Sequence, residues 1–187
     1  MKDPAFIDAM LERGAAATAA AESGFAGLSA VQFDWKPAAN RWSIAECLDH
    51  LVVADTAYFP LLARIVAGDY VAPLWPRISP FSGLFGRLLV ASVEETAQRK
   101  MSAPTVFQPT ASAIGEAALT RFREHQAPLL DYIAACSKVD LDTTIIASPA
   151  LAPITYSLRD AFKIVIPHQH RHIRQALRVR EEAGFPA

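Results

Sequence analysis

Residues 157–180 read SLRDAFKIVIPHQHRHIRQALRVR and decide both the fold and the candidate site. Their apolar residues recur at steps of three and four, the spacing that gathers side chains on one face of an α-helix. His168 and His172 fall on this face one turn apart, so both rings can reach one metal ion. Burying two imidazoles there is costly unless their nitrogens find a metal, water or a carboxylate. The face comprises Leu158, Ala161, Phe162, Val165, His168, His172, Ala176 and Val179.

The ends and the interior of this helix carry further signals. Ser157 followed by Asp160 predicts its start, and Gly184 lies beyond its predicted end. Pro167 lacks a backbone N–H and clashes with the preceding turn, which predicts a bend or bulge just before the first ligand. His170 is turned away from the apolar face among basic residues, and we expect it to be a solvated surface residue.

Three more long helices are predicted upstream from the same periodicity. They cover residues 4–21, 44–67 and 112–137. The start of the second is the clearest, because Ser43 followed three residues later by Glu46 is a capping box before a long apolar run. Together with the histidine-bearing helix, these segments predict an all-α fold, a four-helix bundle with long crossover connections.

The connections between these helices are marked by proline and glycine. Residues 33–41 are predicted to form a loop, and residues 138–156 a second connection. The segment 69–111 carries five prolines and is predicted to be a long crossover with a short helix at 83–99. Pro60 should kink the second long helix because it removes a backbone donor.

Composition excludes several classes of protein. A chain of 187 residues with a net charge of −1 fits one domain, 1–187, with no general attraction to nucleic acid. Asp55 and Arg64 interrupt the most apolar stretch, so no membrane span is expected. The N-terminus lacks the features of a secretory signal, which predicts a cytoplasmic location. Cys47 and Cys136 lie inside predicted helices and are expected to be reduced, buried thiols.

A catalytic zinc-like site has three protein ligands and an open position, so the histidine pair needs a third donor. His50 and His125 are both candidates, and spacing does not choose between them. Zinc and nickel both accept imidazole ligands. Ligating histidines donate their other N–H to an acceptor. Glu46, Asp49 and Gln175 are the nearest acceptors in sequence, with Glu46 favoured because it faces near His50.

Two motifs carry a resemblance to a known family. Residues 41–51, RWSIAECLDHL, match a tryptophan-led opening of the second helix that ends in His-Leu, and the pair His168 and His172 is followed by Gln175. In this order they resemble the DinB-like, or YfiT-like, superfamily of four-helix-bundle proteins, which are regarded as metalloenzymes. The resemblance covers most of the chain. It implies that His50 joins His168 and His172 as the third ligand of a divalent metal.

The resemblance also implies a reaction class. Family members with assigned activities transfer or isomerise a small-molecule substrate with a low-molecular-weight thiol such as bacillithiol or mycothiol. The chain differs from those enzymes in the proline-rich segment 69–111, where we expect differences in the shape of the substrate site. The family often has a histidine directly before its last ligand, whereas Arg171 stands before His172 here. That position is not a ligand, so the predicted metal site is unaffected.

Three functions remain open at this point. The first is a metal-dependent enzyme, a thiol-dependent transferase or a hydrolase, with its open coordination position at the bundle core. The second is a non-catalytic stress-response or binding module with a structural or empty metal site, since a fold does not determine a function. The third is an association module whose apolar helices complete a homodimer.

Overall fold

The computed structural model describes residues 2–93, 107–111, 113–151 and 153–187. Most of this part of the chain is helical, which confirms the predicted all-α class. The helices are α1 (Pro4–Phe25), α2 (Ala30–Asp34), α3 (Ile44–Thr56), α4 (Phe59–Ala67), α5 (Leu74–Ile78), α6 (Ser82–Val93), α7 (Ala117–Ala135) and α8 (Leu158–Arg180). A short 3-10 helix, Cys136–Lys138, follows α7, and two strands, β1 (Ile145–Ala147) and β2 (Thr155–Ser157), pair antiparallel.

Four long helices form the bundle. Helices α7 and α8 each pack against both α1 and α3, so that these four elements surround one interior. Helix α6 lies outside them, against α8 and β2. The predicted four-helix bundle with long crossovers is therefore confirmed.

A layer of polar side chains, three of them buried and one half-buried, divides the apolar interior into two clusters. One cluster lies around Leu62, Tyr156 and Phe162, and the other around Phe25 and Phe122. Between them each bundle helix contributes one polar residue, and hydrogen bonds connect the four. The residues of this polar layer are Thr18 of α1, Asp55 of α3, Gln126 of α7 and Gln169 of α8.

The second predicted helix is broken rather than kinked. Helix α3 ends at Thr56, α4 begins at Phe59, and Pro60 lies in the first turn of α4. The reason is steric and chemical: a proline here clashes with the carbonyl four residues earlier, that of Thr56, and has no N–H to donate to it. Proline is well tolerated in a first turn, where the missing N–H has no intrahelical acceptor.

By length and composition alone, residues 44–67 are apolar enough to cross a membrane. This is weak evidence, because core helices of soluble proteins meet the same criteria. In this structure the stretch is divided into two helices, and its polar residues Asp49, His50 and Asp55 are buried in the bundle.

Several predicted boundaries were wrong. Helix α1 continues past residue 21 to Phe25, and α2 occupies the first two residues of the predicted loop 33–41 because Ser29 and Gln32 form a capping box that was not recognised. Helix α7 begins at Ala117 rather than 112, since Gly115 has a φ of +61° that is incompatible with a helix.

The long connections contain more structure than predicted. Helix α5 was not predicted, and the short helix expected at 83–99 is found as α6, with residues 94–99 outside the described part of the chain. The β1–β2 hairpin was also missed, because strands of three residues are too short to show an alternating pattern. Ser157 caps α8 as predicted, and α8 runs through Pro167 without interruption.

Candidate metal centre

Helices α3 and α8 bring the three predicted histidines together, with His50 buried and His168 and His172 half-buried. His50 lies on α3, whereas His168 and His172 lie one turn apart on α8. One ring nitrogen from each lies within 4.8 Å of the others, and Nε2 of His50 is 3.2 Å from Nε2 of His168. Two nitrogens bound tetrahedrally to one zinc ion lie roughly 3.3 Å apart, given Zn–N bonds of about 2.05 Å. The arrangement therefore suits one divalent ion.

A backbone carbonyl determines which nitrogen of His50 faces the centre. Nδ1 of His50 lies 2.5 Å from the carbonyl oxygen of Phe107, in the connection between α6 and α7. A carbonyl only accepts hydrogen bonds, so Nδ1 carries the ring hydrogen. Nε2 is then unprotonated and directs its lone pair toward His168, as metal ligation requires.

Burial lowers the pKa of all three imidazoles. For His50 the loss of solvent outweighs the opposing hydrogen bond to Phe107. Burial, and then the neighbouring His50, lower the pKa of His168 to about 3. Burial and the ring of His168 hold the pKa of His172 well below its usual value. All three rings are therefore neutral at pH 7, the form that donates a lone pair to a metal.

The residues present fit a divalent cation with an open coordination position. Among the described residues, no other histidine, cysteine or acidic side chain joins the three-histidine cluster. Nδ1 of His172 is buried and has no hydrogen bond of normal geometry within the described ranges. Gln175 lies beside His172 and partly opposes the lowering of its pKa. Three neutral imidazoles without a fourth protein ligand are typical of catalytic rather than structural sites.

Trp42 connects the histidine cluster with a surface cleft. Its ring lies 4.8 Å from the ring of His50 and 5.5 Å from that of His172, measured between centroids. The same side chain lines a cleft of about 320 Å³. Trp42 directly precedes Ser43, the N-cap of α3, and its ring packs over two of the candidate ligands. The cleft is lined by Lys36, Ala39, Asn40, Trp42, Glu46, Gln108, Pro109 and Ala111.

The two other histidines of the chain lie outside the cluster. His125 stacks on the ring of Phe59 with centroids 4.9 Å apart, and its Nε2 lies 3.8 Å from Oδ2 of Asp55. The structure therefore does not place His125, the alternative candidate for the third ligand, in the histidine cluster. His170 was predicted to be solvated, and this was wrong: it is half-buried, and its Nε2 donates to the carbonyl of Arg13, which connects α8 to α1.

The favoured acceptor for His50 was also predicted wrongly. Glu46 accepts instead from the backbone N–H of Ser43 and pairs with Lys36 at 2.8 Å, so it stabilises the start of α3. The acceptor is the Phe107 carbonyl. A backbone carbonyl of an irregular connection has no side-chain signature, so only the arrangement of the chain in space could reveal it.

These observations define a class: a helical bundle whose interior holds a three-histidine centre that could bind a metal. The family model of the DinB superfamily matches residues 10–176. The chain therefore belongs to the DinB superfamily, which confirms the resemblance drawn from the two motifs. No curated protein and no solved structure matches the chain.

Proposed function

We propose that this chain binds a divalent metal, zinc or nickel, through His50, His168 and His172, and that it is a metal-dependent enzyme. The observation that carries the proposal is the convergence of three neutral imidazole nitrogens within 4.8 Å, with no fourth ligand from the described residues. A divalent ion supplies Lewis acidity when bound, which makes a water or a thiol a stronger nucleophile.

The protein contributes the shape and the protonation of the site. His50 is held in the required tautomer by the Phe107 carbonyl, and the pKa of each ligand lies below its usual value, so no proton competes at neutral pH. The cleft lined by Trp42 reaches the candidate ligands only through this ring, which packs on His50 and His172. Three imidazole ligands without a fourth from the described residues favour a thiol-dependent transferase or a hydrolase over a module with a structural or empty metal site.

Metal content tests the first part of the proposal. Purified wild-type protein should bind one zinc or nickel ion per chain, and His50→Ala and His172→Ala should each lose most of this affinity. His170→Gln is the matched control, because it removes a histidine of the same helix that lies outside the cluster. Equally low metal content in the wild type and the ligand variants would refute the proposed site.

Activity tests the second part. The metal-loaded protein should transfer a low-molecular-weight thiol to an electrophilic substrate, or hydrolyse an activated ester, and the metal-free protein and His50→Ala should not. A metal-loaded protein that is inactive with every thiol and ester, and in which spectroscopy shows a fourth protein ligand, would instead support the non-catalytic alternative.

A further inference from the structure

One buried carboxylate holds the chain where it returns to the bundle between α6 and α7. Asp49 is only 2% exposed, and its Oδ2 accepts hydrogen bonds from the backbone N–H of Thr110 at 2.6 Å and from its Oγ1 at 2.7 Å. Its Oδ1 lies 3.0 Å from Arg121. Two short hydrogen bonds to a charged acceptor form a strong attachment between α3 and the returning segment.

The attached segment is also the one that supplies the acceptor for His50. The Phe107 carbonyl lies three residues before Thr110, and it contacts the histidine that directly follows Asp49 on α3. Asp49 and His50, neighbours on α3, therefore contact Thr110 and Phe107, the two ends of the four-residue segment 107–110. Movement at Thr110 would displace the carbonyl from the ring.

We propose that Asp49 is a positioning residue for the metal ligand His50, acting through Thr110 and the Phe107 carbonyl. Its effect on metal binding rests on the proposed function, whereas its effect on the His50 tautomer does not. A neutral imidazole has two tautomers, and only the Nδ1–H form can ligate through Nε2. Releasing the carbonyl leaves Nδ1–H without its acceptor and shifts the ring toward the Nε2–H form.

The attachment of the segment and metal binding are then coupled in both directions. If attachment of segment 107–110 favours the metal-binding tautomer of His50, a bound metal must favour attachment of this segment by the same free energy. Zinc should therefore slow hydrogen exchange at the Thr110 amide, whose N–H donates to Asp49.

The same connection contains a matched control. Oδ1 of Asp34 accepts from the backbone N–H groups of Ile114 and Gly115, at 3.0 and 2.9 Å. This carboxylate also attaches the chain before α7, but its described contacts do not include the histidines. Asp34→Asn thus weakens an equivalent attachment without disturbing the Phe107 carbonyl.

The experiment compares the wild type with Asp49→Asn, Thr110→Val, Arg121→Gln and Asp34→Asn. The tautomer of His50 is measured in the metal-free proteins by ¹⁵N NMR, and zinc affinity by competition with a chromophoric chelator. Asp49→Asn and Thr110→Val should raise the Nε2–H fraction and weaken zinc binding by about 10–100-fold. Arg121→Gln and Asp34→Asn should resemble the wild type in both measurements.

The outcomes separate this proposal from the proposed function. An unchanged His50 tautomer in folded Asp49→Asn and Thr110→Val would overturn it. So would a zinc affinity that falls in Asp49→Asn, is unchanged in Thr110→Val and rises in Arg121→Gln, because the net charge would then be the cause. If Asp49→Asn does not fold, Thr110→Val alone decides. A wild type that binds no zinc would refute the proposed function, while the tautomer measurement would still test the role of Asp49.

Discussion

Gln169 offers a direct test of how the polar layer holds the bundle together. Its side chain is fully buried, one residue after His168, the first candidate ligand of α8. Its amide nitrogen donates to Oδ2 of Asp55 at 2.7 Å and to Gln126 at 2.7 Å, and its oxygen accepts from Gln126 at 3.1 Å. Gln169→Leu keeps most of the volume but removes all three hydrogen bonds.

The expected cost follows from these contacts. A hydrogen bond to a charged acceptor contributes about 1.5–3 kcal/mol and a neutral one about 1 kcal/mol. Gln169→Leu should therefore lower the free energy of unfolding by about 4 kcal/mol. It leaves Asp55 with His125 at 3.8 Å as its remaining close partner in the described part of the chain. For a domain of this size, the loss corresponds to a fall in Tm of roughly 8–16 °C.

Urea denaturation with a double-mutant cycle provides the assay. Gln126→Leu alone should also be destabilising, but Gln126→Leu combined with Gln169→Leu should cost less than the sum. The reason is that each single variant already removes the hydrogen bonds between the two amides, with a coupling of about 1 kcal/mol or more. Two results would refute this reasoning: a free energy of unfolding of Gln169→Leu within about 1 kcal/mol of the wild type, or a double variant whose loss equals the sum of the two single losses.

Three further predictions concern the histidine centre. Burial lowers the pKa of His168 from its usual 6.5 to about 3 in the folded protein, so the unfolded state takes up this proton first as the pH falls. The free energy of unfolding of the metal-free protein should therefore fall by up to about 1.4 kcal/mol per pH unit below pH 6.5. Urea denaturation of His168→Gln should show a weaker dependence of this free energy on pH. Nickel should quench tryptophan fluorescence in Trp75→Phe but not in Trp42→Phe, because the ring of Trp42 lies 4.8 Å from that of His50; equal quenching in both would place the ion elsewhere. Zinc at 100 times its Kd should stabilise the wild type by about 2.7 kcal/mol in a thermal shift assay and leave His172→Ala unchanged; a similar shift in both would indicate a different binding site.

The fold class and the candidate ligands on α8 could be predicted from the sequence for a local reason. Helical periodicity and caps act over three or four residues, and both are visible at Ser157 and along the face that carries His168 and His172. The choice between His50 and His125 did not follow from spacing, because it depends on which face of each helix meets α8. The family motif resolved it, and the structure brings His50 into the cluster.

The remaining features depend on contacts between residues distant in the sequence, and no local pattern records them. Gln126 and Gln169 are ordinary polar residues in the sequence, and only the packing of four helices makes them a buried layer with Asp55. The Phe107 carbonyl contacts His50, which lies 57 positions earlier in the sequence. Local sequence patterns alone therefore determined the long helices and two of the candidate ligands, and the family motif selected the third. The tertiary structure decided the third ligand's surroundings, because backbone groups and buried amides acquire their roles only from the partners that folding brings to them.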